Sequence, residues 1–324
     1  MHANSRIRLL RVSIAALLLL GVASACGGDD DGNDTGELSG TIRADGSSTV
    51  GPFTTYAAEQ FGRENPGVRV TVGISGTGGG FERFCAGETD LSNASRAIDD
   101  EEKELCEEQG IDFVEFHVVN DGLAAVVNPD NDWADCLTIK ELNAIWRPDS
   151  EVENWSQVRD GFPDVELELA GPGTDSGTFD YFTDAVNGEE GASRSDYTAS
   201  EDDNVIVRAI SGERGGLGYF GLSYVEQNEG AVKAVPIENE QGDCVEPDVE
   251  TVQDGSYNPL SRPLFIYAKR ESFGRPAVQA FVEYMLENNQ EIAEGALFVP
   301  LTEEQLSKAR SDLETAVSEA GAAS

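Results

Sequence analysis

Short runs of β-branched and apolar residues alternate along the chain with stretches in which apolar residues recur at helical spacing. The alternation begins with a strand predicted at 41–44 and a helix predicted at 52–65. Within that helix Phe53, Tyr56, Ala57 and Phe61 recur at near-helical spacing. Further strands are predicted at 68–72, 113–119, 123–128, 217–220 and 264–268, and further helices at 79–87, 101–109, 137–146, 177–186, 277–288 and 303–316. This pattern predicts an α/β fold.

Two apolar runs indicate how the chain divides into lobes. The run 113–119, which 123–128 continues, predicts a crossing from a first lobe into a second, and 264–268 predicts a buried strand that brings the chain back. We therefore expect a first lobe at 41–119 and 258–324 and a second lobe at 120–257. The 324 residues suit two lobes of about 100–150 residues each. Two crossings of this kind permit hinge closure over a cleft.

The first 25 residues have the pattern of a secretory signal peptide. Three arginines precede the apolar run 12–22, which is shorter than the ~20 residues of a membrane-spanning helix. Small residues at 23–25 then precede Cys26, and this resembles the lipidation box of bacterial lipoproteins. We expect an exported protein that a lipid on Cys26 anchors to the outer face of the cell membrane. The alternative is a plain signal peptide followed by an incidental cysteine.

Residues 26–40 are acidic and glycine-rich without apolar periodicity, which predicts a flexible tether. The whole chain carries 22 Lys and Arg against 61 Asp and Glu, for a net charge of −39. This acidity argues against nucleic-acid binding and against docking on an anionic membrane surface. It does not exclude a small anionic ligand, because local dipoles in a pocket can oppose the global field.

Four cysteines lie beyond Cys26, and an even number in an exported protein suggests two disulfides. Three pairings are open. We favour Cys85 with Cys106 and Cys136 with Cys244, so that the shorter loop is closed locally. Neither a CxxC motif nor a Cys/His spacing supports zinc, and we expect no metal and no cofactor.

Three segments place Gly, Ser and Thr between a predicted strand and a predicted helix: DGSSTVGP at 45–52, GISGTGGG at 73–80 and GPGTDSGTF at 171–179. Glycine lets the backbone approach a ligand closely, and the free N–H groups of a helix's first turn bind oxyanions. The lysine of a nucleotide P-loop is missing from all three. Each segment alone fits an ordinary turn or helix cap. Together they predict convergence on one tetrahedral anion.

Five runs resemble the phosphate-binding protein of the bacterial phosphate-specific ABC importer, a periplasmic-binding-protein family. The runs are DGSSTVGPF, VGISGTGGGFERFCAGETDLSNASRAI, GPGTDSGTFDYF, GGLGYFGLSYV and NPLSRPLFIYAK, and the resemblance extends over about 41–310. It implies a two-lobed periplasmic-binding-protein fold of type II, with the ligand in the interlobe cleft and two crossing segments as the hinge. It also implies inorganic phosphate and a membrane permease as partners. We expect the protein to be a monomer.

The resemblance implies a set of phosphate ligands on the loops of both lobes. In the second loop the glycine run leaves the register open between Ser75 and Thr77. The implied ligands are Ser48, Thr49, Ser75, Gly76, Thr77, Ser95, Arg96, Ser176, Gly177 and Thr178.

Two positions depart from the family pattern. Arg96 stands where many members have an Asp that accepts the proton of phosphate, and Pro172 stands where many have an Arg. We therefore expect Arg96 to replace the missing arginine and to offer a bidentate fork. The alternative for Arg96 is a salt bridge with one of the many acids. Asp175 and Asp180 are candidate proton acceptors, although a helix cap or a solvated first-turn acid is favoured for both.

The sequence favours a substrate-binding lipoprotein that captures phosphate for an importer. One alternative is a binding protein for another oxyanion, such as sulfate, molybdate or tungstate. Another is an exported phosphatase or hydrolase, and a weaker one is a sensor or adhesin with the same fold. An enzyme is disfavoured because clustered metal ligands and GxSxG are missing from the sequence. The one histidine beyond the leader, His117, lies in an apolar run.

Overall fold

The computed structural model describes residues 38–228 and 230–323. The predicted signal peptide, Cys26 and the tether up to residue 37 lie outside these residues. The first strand begins at Gly40, inside the range predicted for the tether. In the described part of the chain, no helix combines the length and the apolar character that crossing a membrane requires.

Strands and helices alternate through the described residues, which confirms the α/β prediction. The strands are β1 (Gly40–Gly46), β2 (Val68–Val72), β3 (Leu91–Ala94), β4 (Phe113–Val127), β5 (Leu137–Thr138), β6 (Glu168–Gly171), β7 (Thr198–Ala199), β8 (Gly216–Gly221), β9 (Lys233–Ala234), β10 (Ile237–Glu238), β11 (Cys244–Val245) and β12 (Ser261–Lys269). The helices are α1 (Gly51–Glu64), α2 (Gly76–Cys85), α3 (Asp100–Glu108), α4 (Ile139–Trp146), α5 (Gly177–Asn187), α6 (Asp203–Gly212), α7 (Leu222–Gln227), α8 (Val249–Gln253), α9 (Pro276–Glu287), α10 (Asn289–Gly295) and α11 (Glu303–Ala323).

One continuous sheet runs through the fold in the order β2-β1-β3-β12-β4-β8-β6-β7, with β9 beside β4. β1 is parallel to β2 and β3, whereas β12 is antiparallel to both β3 and β4. The long strand β4 pairs with β12 through residues 113–122 and with β8 through residues 123–127. β4 therefore carries the chain from the first lobe to the second, and β12 brings it back, as the two apolar runs predict.

Separate hydrophobic cores lie on either side of this change of partner, and a smaller third cluster contains Phe81, Phe84 and Tyr267. Phe53 on α1 packs in the first core with Ile266 on β12 and Phe281 on α9. Trp146 on α4 packs in the second core with Ile210 on α6. Each lobe thus buries its own apolar side chains, which accounts for the two-lobed fold.

Helix α2 begins earlier than the sequence predicts, and the prediction of 79–87 is wrong at its start. Gly76, Thr77 and Gly78 lie before the predicted start but inside α2. Helix α2 also packs closely against β1. A Cβ on Gly80 would lie 2.5 Å from the Cα of Gly46. Glycine is required here by close packing rather than by a turn.

Both favoured disulfides are present. Cys85–Cys106 joins the end of α2 to α3, and Cys136–Cys244 joins the residue before β5 to β11. The second closes a sequence separation of 108 residues. A cross-link of that span stabilises a fold mainly by restricting the unfolded chain.

Candidate functional site

A cavity of about 810 Å³ lies where loops of the first lobe face α5 of the second. Its wall contains hydroxyl groups, backbone at the start of α2, two arginines and three carboxylates. Of the predicted ligands, those that line it are Ser48, Thr49, Ser75, Gly76, Thr77, Ser95 and Arg96. The three predicted Gly-Ser-Thr segments are corners between a strand and the next helix. Two of them, β1–α1 and β2–α2, therefore line one cavity together with the loop after β3.

The first corner joins β1 to α1 and is stabilised by Ser47. The Ser47 Oγ accepts hydrogen bonds from the N–H groups of Thr49 and Val50, at 3.2 and 3.3 Å. This turn carries Ser48 and Thr49 to the cavity wall. The Thr49 side chain is buried and its Oγ1 accepts a hydrogen bond from Arg262, 3.1 Å away.

The second corner joins β2 to α2, and its two hydroxyls have different partners. Ser75 Oγ donates to Asp45 Oδ1 at 2.8 Å, and Asp45 is also ion-paired with Arg83 at 3.3 Å. Thr77 Oγ1 lies 2.9 Å from Ser95 Oγ and accepts the N–H of Ser95 at 3.2 Å. Because the Ser75 proton is directed at Asp45, Thr77 and Ser95 are the better hydroxyl donors for a ligand.

The third corner, at the start of α5, lies against the first. Ser176 is the N-cap of α5, and its Oγ accepts the N–H of Thr178 at 3.2 Å. A Cβ on Gly177 would lie 2.8 Å from Thr49 Oγ1 and 3.0 Å from Thr49 Cα. Ser176, Gly177 and Thr178 do not line the described cavity. The first turn of α5 instead contacts the loop that carries Thr49.

Arg96 lines the cavity but is engaged by an acid. Its Nη1 and Nη2 donate to the two carboxylate oxygens of Glu102, each at 2.8 Å, and its guanidinium also lies 5.8 Å from the ring centroid of Phe81. The hydrogen bonds that Arg96 donates to Glu102 raise the pKa of Arg96. This arrangement corresponds to the salt-bridge alternative. That Arg96 also binds a ligand stays a prediction.

Arg262, on β12, is a second cation at the cavity that the sequence analysis missed as a candidate. Its Nε and Nη2 both donate to Asp121 Oδ2 at 3.3 Å, and its guanidinium lies 3.6 Å from the ring centroid of Tyr181. The hydrogen bonds described for Arg262 leave Nη1 without a partner among residues 38–228 and 230–323. Arg262 and Asp121 face each other across the β4–β12 pair, so the sheet register brings them together. One sequence feature could have pointed to Arg262: it is the one charged residue in the run SRPLFIYA at 261–268.

Asp121 is a buried carboxylate beside this arginine, with its side chain 8% exposed. Burial raises the pKa of Asp121, and Arg262 opposes that rise. A buried charge without its partner is strongly unfavourable, so the pair holds the guanidinium in place.

Three carboxylates, Asp180, Asp184 and Glu190, line the side of the cavity that the second lobe provides. Asp180 Oδ2 lies 3.5 Å from Ser48 Oγ of the first lobe. Burial raises the pKa of Asp180, whereas the Ser48 hydrogen bond and Arg262 lower it. Burial, followed by the charges of Asp180 and Asp184, raises the pKa of Glu190.

Among residues 38–228 and 230–323, no group of three or more His, Cys, Asp or Glu side chains could hold a metal ion. His117 does not line the cavity described above: its Nε2 is 2.9 Å from Asn120 Oδ1, and burial lowers its pKa.

Comparisons with known proteins agree with this architecture. Residues 32–289 match a family model described as the PBP superfamily domain. Protein SphX of Synechococcus elongatus is 46% identical over 262 residues, which cover 80% of this chain and 77% of SphX. The phosphate-binding protein PstS of Staphylococcus saprophyticus is 40% identical over 303 residues, which cover 93% of this chain and 92% of PstS.

A solved structure is similar over most of the molecule. The crystal structure of a possible phosphate binding protein from Planctomyces limnophilus is 45% identical and superposes with a TM-score of 0.83, covering 86% of this chain and 99% of that one. The chain therefore belongs to the PBP superfamily and, within it, to the family of the PstS phosphate-binding proteins.

Proposed function

We propose that this chain captures inorganic phosphate outside the cell membrane and delivers it to the permease of an ABC importer. The observation that carries the proposal is one cavity at which hydroxyl-bearing corners meet Arg262, an arginine held in place by Asp121. Relatives named for phosphate binding support the choice of ion. The protein binds and releases its ligand without changing it chemically.

The proposed ligands fall into two groups by position. The first group lines the cavity from the first lobe and the strand β12 that leads back into it, whereas the second group reaches the ion from α5 of the second lobe. The first group is Ser48, Thr49, Ser75, Gly76, Thr77, Ser95, Arg96 and, in addition to the sequence prediction, Arg262. The second group is Ser176, Gly177 and Thr178.

Arg262 supplies the cationic contact through a rigid arrangement. Asp121 and the Tyr181 ring hold the guanidinium on two sides, so that little side-chain entropy is lost when an anion binds. The hydroxyls and helix-start N–H groups add donors without adding charge. Such donors suit an oxyanion.

The lobe boundaries remain a proposal. We place the first lobe at 41–119 and 258–324 and the second at 120–257. The change of partner along β4 after residue 122, and the start of β12 at Ser261, support these boundaries. Two connections between the lobes would allow them to close around the ion.

We also propose that the protein is exported and held at the membrane by a lipid on Cys26. The leader pattern and the acidic tether support this, as does the pairing of the other four cysteines in disulfides, which form in oxidising compartments. In this arrangement the protein acts as a monomer beside the permease.

Isothermal titration calorimetry with phosphate, sulfate, arsenate, molybdate and tungstate tests the function. We expect one phosphate per chain and no sulfate binding at the same concentration. Tighter binding of sulfate, molybdate or tungstate than of phosphate would assign the protein to another oxyanion. Absence of heat with every anion would overturn the proposal.

A further inference from the structure

A groove of about 640 Å³ lies beside the anion cavity described above, and Ser48 lines both. Helix α1 and the loops before α2 and after α10 contribute to it from the first lobe, and the loop before α5 adds Asp175 from the second. We call this surface the rim groove. The side chains that distinguish it are Tyr56, Glu59, Ile74, Asp175 and Leu297.

Two large apolar side chains of the rim groove are exposed to solvent. Ile74 is 57% exposed and Leu297 is 44% exposed, and every other large apolar side chain among residues 38–228 and 230–323 is less exposed. Ile74 lies over Gly51 at the start of α1, where an added Cβ would be 2.4 Å from Ile74 Cδ1. A single exposed apolar side chain is ordinary, whereas two in one groove indicate an interaction surface.

The backbone of Leu297 has a conformation that favours glycine. Its φ is 64°, and within the described part of the chain it is the one residue other than glycine with a positive φ. The N–H groups of Leu297 and Phe298 donate to the carbonyls of Glu294 and Ala293, at 3.2 and 2.8 Å. These two bonds form the Schellman motif that ends a helix, and its left-handed position is usually glycine. Because neither the turn nor core packing requires an exposed leucine there, its side chain points to a contact with another molecule.

The rim groove is acidic as well as apolar. Glu59 and Asp175 are exposed in its wall, and no Lys, Arg or His side chain lines it. Neither carboxylate has a hydrogen bond or an ion pair with the residues that the structure describes. A complementary surface would therefore present an apolar side chain next to Lys or Arg.

Charge argues against two occupants that the chain itself could supply. Residues 26–37 contain five Asp and Glu residues and neither Lys nor Arg. A second copy of the chain carries the same net charge of −39. Either would bring negative charge against Glu59 and Asp175. A different protein with a basic surface fits the rim groove better.

The position of the rim groove relates it to the bound anion. Asp175 directly precedes the proposed ligands at 176–178 and does not line the anion cavity itself. The rim groove therefore has its second-lobe wall only while the start of α5 lies against the start of α1. A partner that binds there contacts the two lobes in that arrangement.

We propose that the rim groove is a docking site for the importer's permease, which places an apolar side chain against Ile74 and Leu297 and Lys or Arg beside Glu59 and Asp175. This inference rests on the proposed function, since it needs delivery of phosphate to a permease. It adds the surface through which the permease recognises the loaded chain.

The test uses the permease of the host's phosphate importer, with its ATPase subunits, in nanodiscs. The readout is the concentration of phosphate-loaded chain that stimulates ATP hydrolysis half-maximally. Leu297→Gly removes the exposed side chain and suits the left-handed backbone, so its free energy of unfolding should equal or exceed that of wild type. We expect its half-maximal concentration to rise at least about tenfold, with the phosphate affinity unchanged in calorimetry.

A matched pair of variants tests the charge of the rim groove. Glu59→Lys and Glu64→Lys reverse the same charge on the same helix, α1, and Glu64 does not line the groove. We expect Glu59→Lys to raise the half-maximal concentration at least about fivefold and Glu64→Lys to change it less than about twofold.

Four outcomes would overturn a proposal. Wild-type stimulation by both Leu297→Gly and Glu59→Lys would overturn the inference and leave phosphate delivery intact. Self-association of wild type that Leu297→Gly abolishes would assign the rim groove to a second copy. An effect of Leu297→Gly that disappears when residues 27–37 are deleted would assign it to the tether. Wild type that binds no phosphate, or that does not stimulate the permease, would overturn the proposed function and the inference with it.

Discussion

At the scale of single residues, the two arginines at the cavity differ in what holds them. Arg96 directs both Nη atoms at Glu102 and is 46% exposed. Arg262 is 17% exposed and contacts Thr49, itself a predicted ligand. The less exposed guanidinium is more strongly attracted to an anion, because water screens it less.

We expect Arg262→Lys to weaken phosphate binding at least about tenfold, because lysine keeps the charge but loses the planar fork. Keeping the charge also leaves Asp121 with a partner, so the free energy of unfolding should change little. Arg96→Lys should weaken binding by a smaller factor, since Glu102 occupies its fork. Calorimetry measures the loss of phosphate affinity in each variant. A larger loss in Arg96→Lys than in Arg262→Lys would contradict this expectation.

The candidate site could be predicted in part from single residues. Ser48, Thr49 and Thr77 stand in Gly-Ser-Thr segments whose local chemistry is visible along the sequence. Arg262 is different, because its position depends on pairing with Asp121 across two strands 141 residues apart in the chain. A single sequence does not reveal strand register, so the pairing of this cation with Asp121 at the cavity is visible only in the folded molecule.

At the scale of elements, the start of α5 contacts the start of α1. A Cβ on Gly177 would lie 2.8 Å from Thr49 Oγ1, closer than side chains tolerate. Gly177→Ala should therefore hold the two helix starts apart and weaken phosphate binding about tenfold or more. Because alanine is a better helix former, the free energy of unfolding without ligand should stay equal or rise slightly.

Gly212→Ala is the matched control, since a Cβ at Gly212, at the end of α6, meets open space. Its phosphate affinity should equal that of wild type. If Gly177→Ala also binds phosphate with wild-type affinity, the contact between the helix starts is not needed for binding.

The start of α6 offers a prediction of pH dependence. Burial, with the charges of Asp202 and Glu201, raises the pKa of Asp203 to about 6. The folded state then binds more protons than the unfolded state between about pH 4 and pH 6. The contribution of Asp203 to the free energy of unfolding therefore falls as pH rises. The free energy of unfolding of Asp203→Asn, relative to wild type, should increase from about pH 4 to pH 7 in urea titrations.

The pKa of Asp202 is shifted in the opposite direction from that of Asp203. Asp202 caps α6, and its hydrogen bonds with Asn204 lower its pKa. The contribution of Asp202 to the free energy of unfolding is present above its ordinary pKa and is lost as pH falls through the lowered pKa. Asp202→Asn should therefore lose stability relative to wild type as pH rises, and equal trends for the two variants would contradict these assignments.

The element predictions succeeded where apolar periodicity was strong and missed the start of α2. Phe53, Ala57 and Phe61 are buried on α1, as their spacing predicts, whereas Tyr56 is only partly buried. Helix α2 begins at Gly76, before the predicted start at residue 79, and its Gly80 lies too close to β1 for a larger residue. Such an approach between two backbones has no local signature.

At the scale of the whole molecule, a chain with a net charge of −39 carries a site for an anion. The site is possible because its donors are local: hydroxyls, helix-start N–H groups and a fixed arginine act over a few ångströms. The global repulsion acts at longer range and is screened by salt.

A crystal structure of the protein with phosphate tests the central claim most directly. We predict one phosphate in the cavity, within hydrogen-bond distance of Thr49 and Arg262, with the start of α5 supplying contacts from the second lobe. A phosphate bound elsewhere, or one touched by residues of a single lobe, would contradict the account.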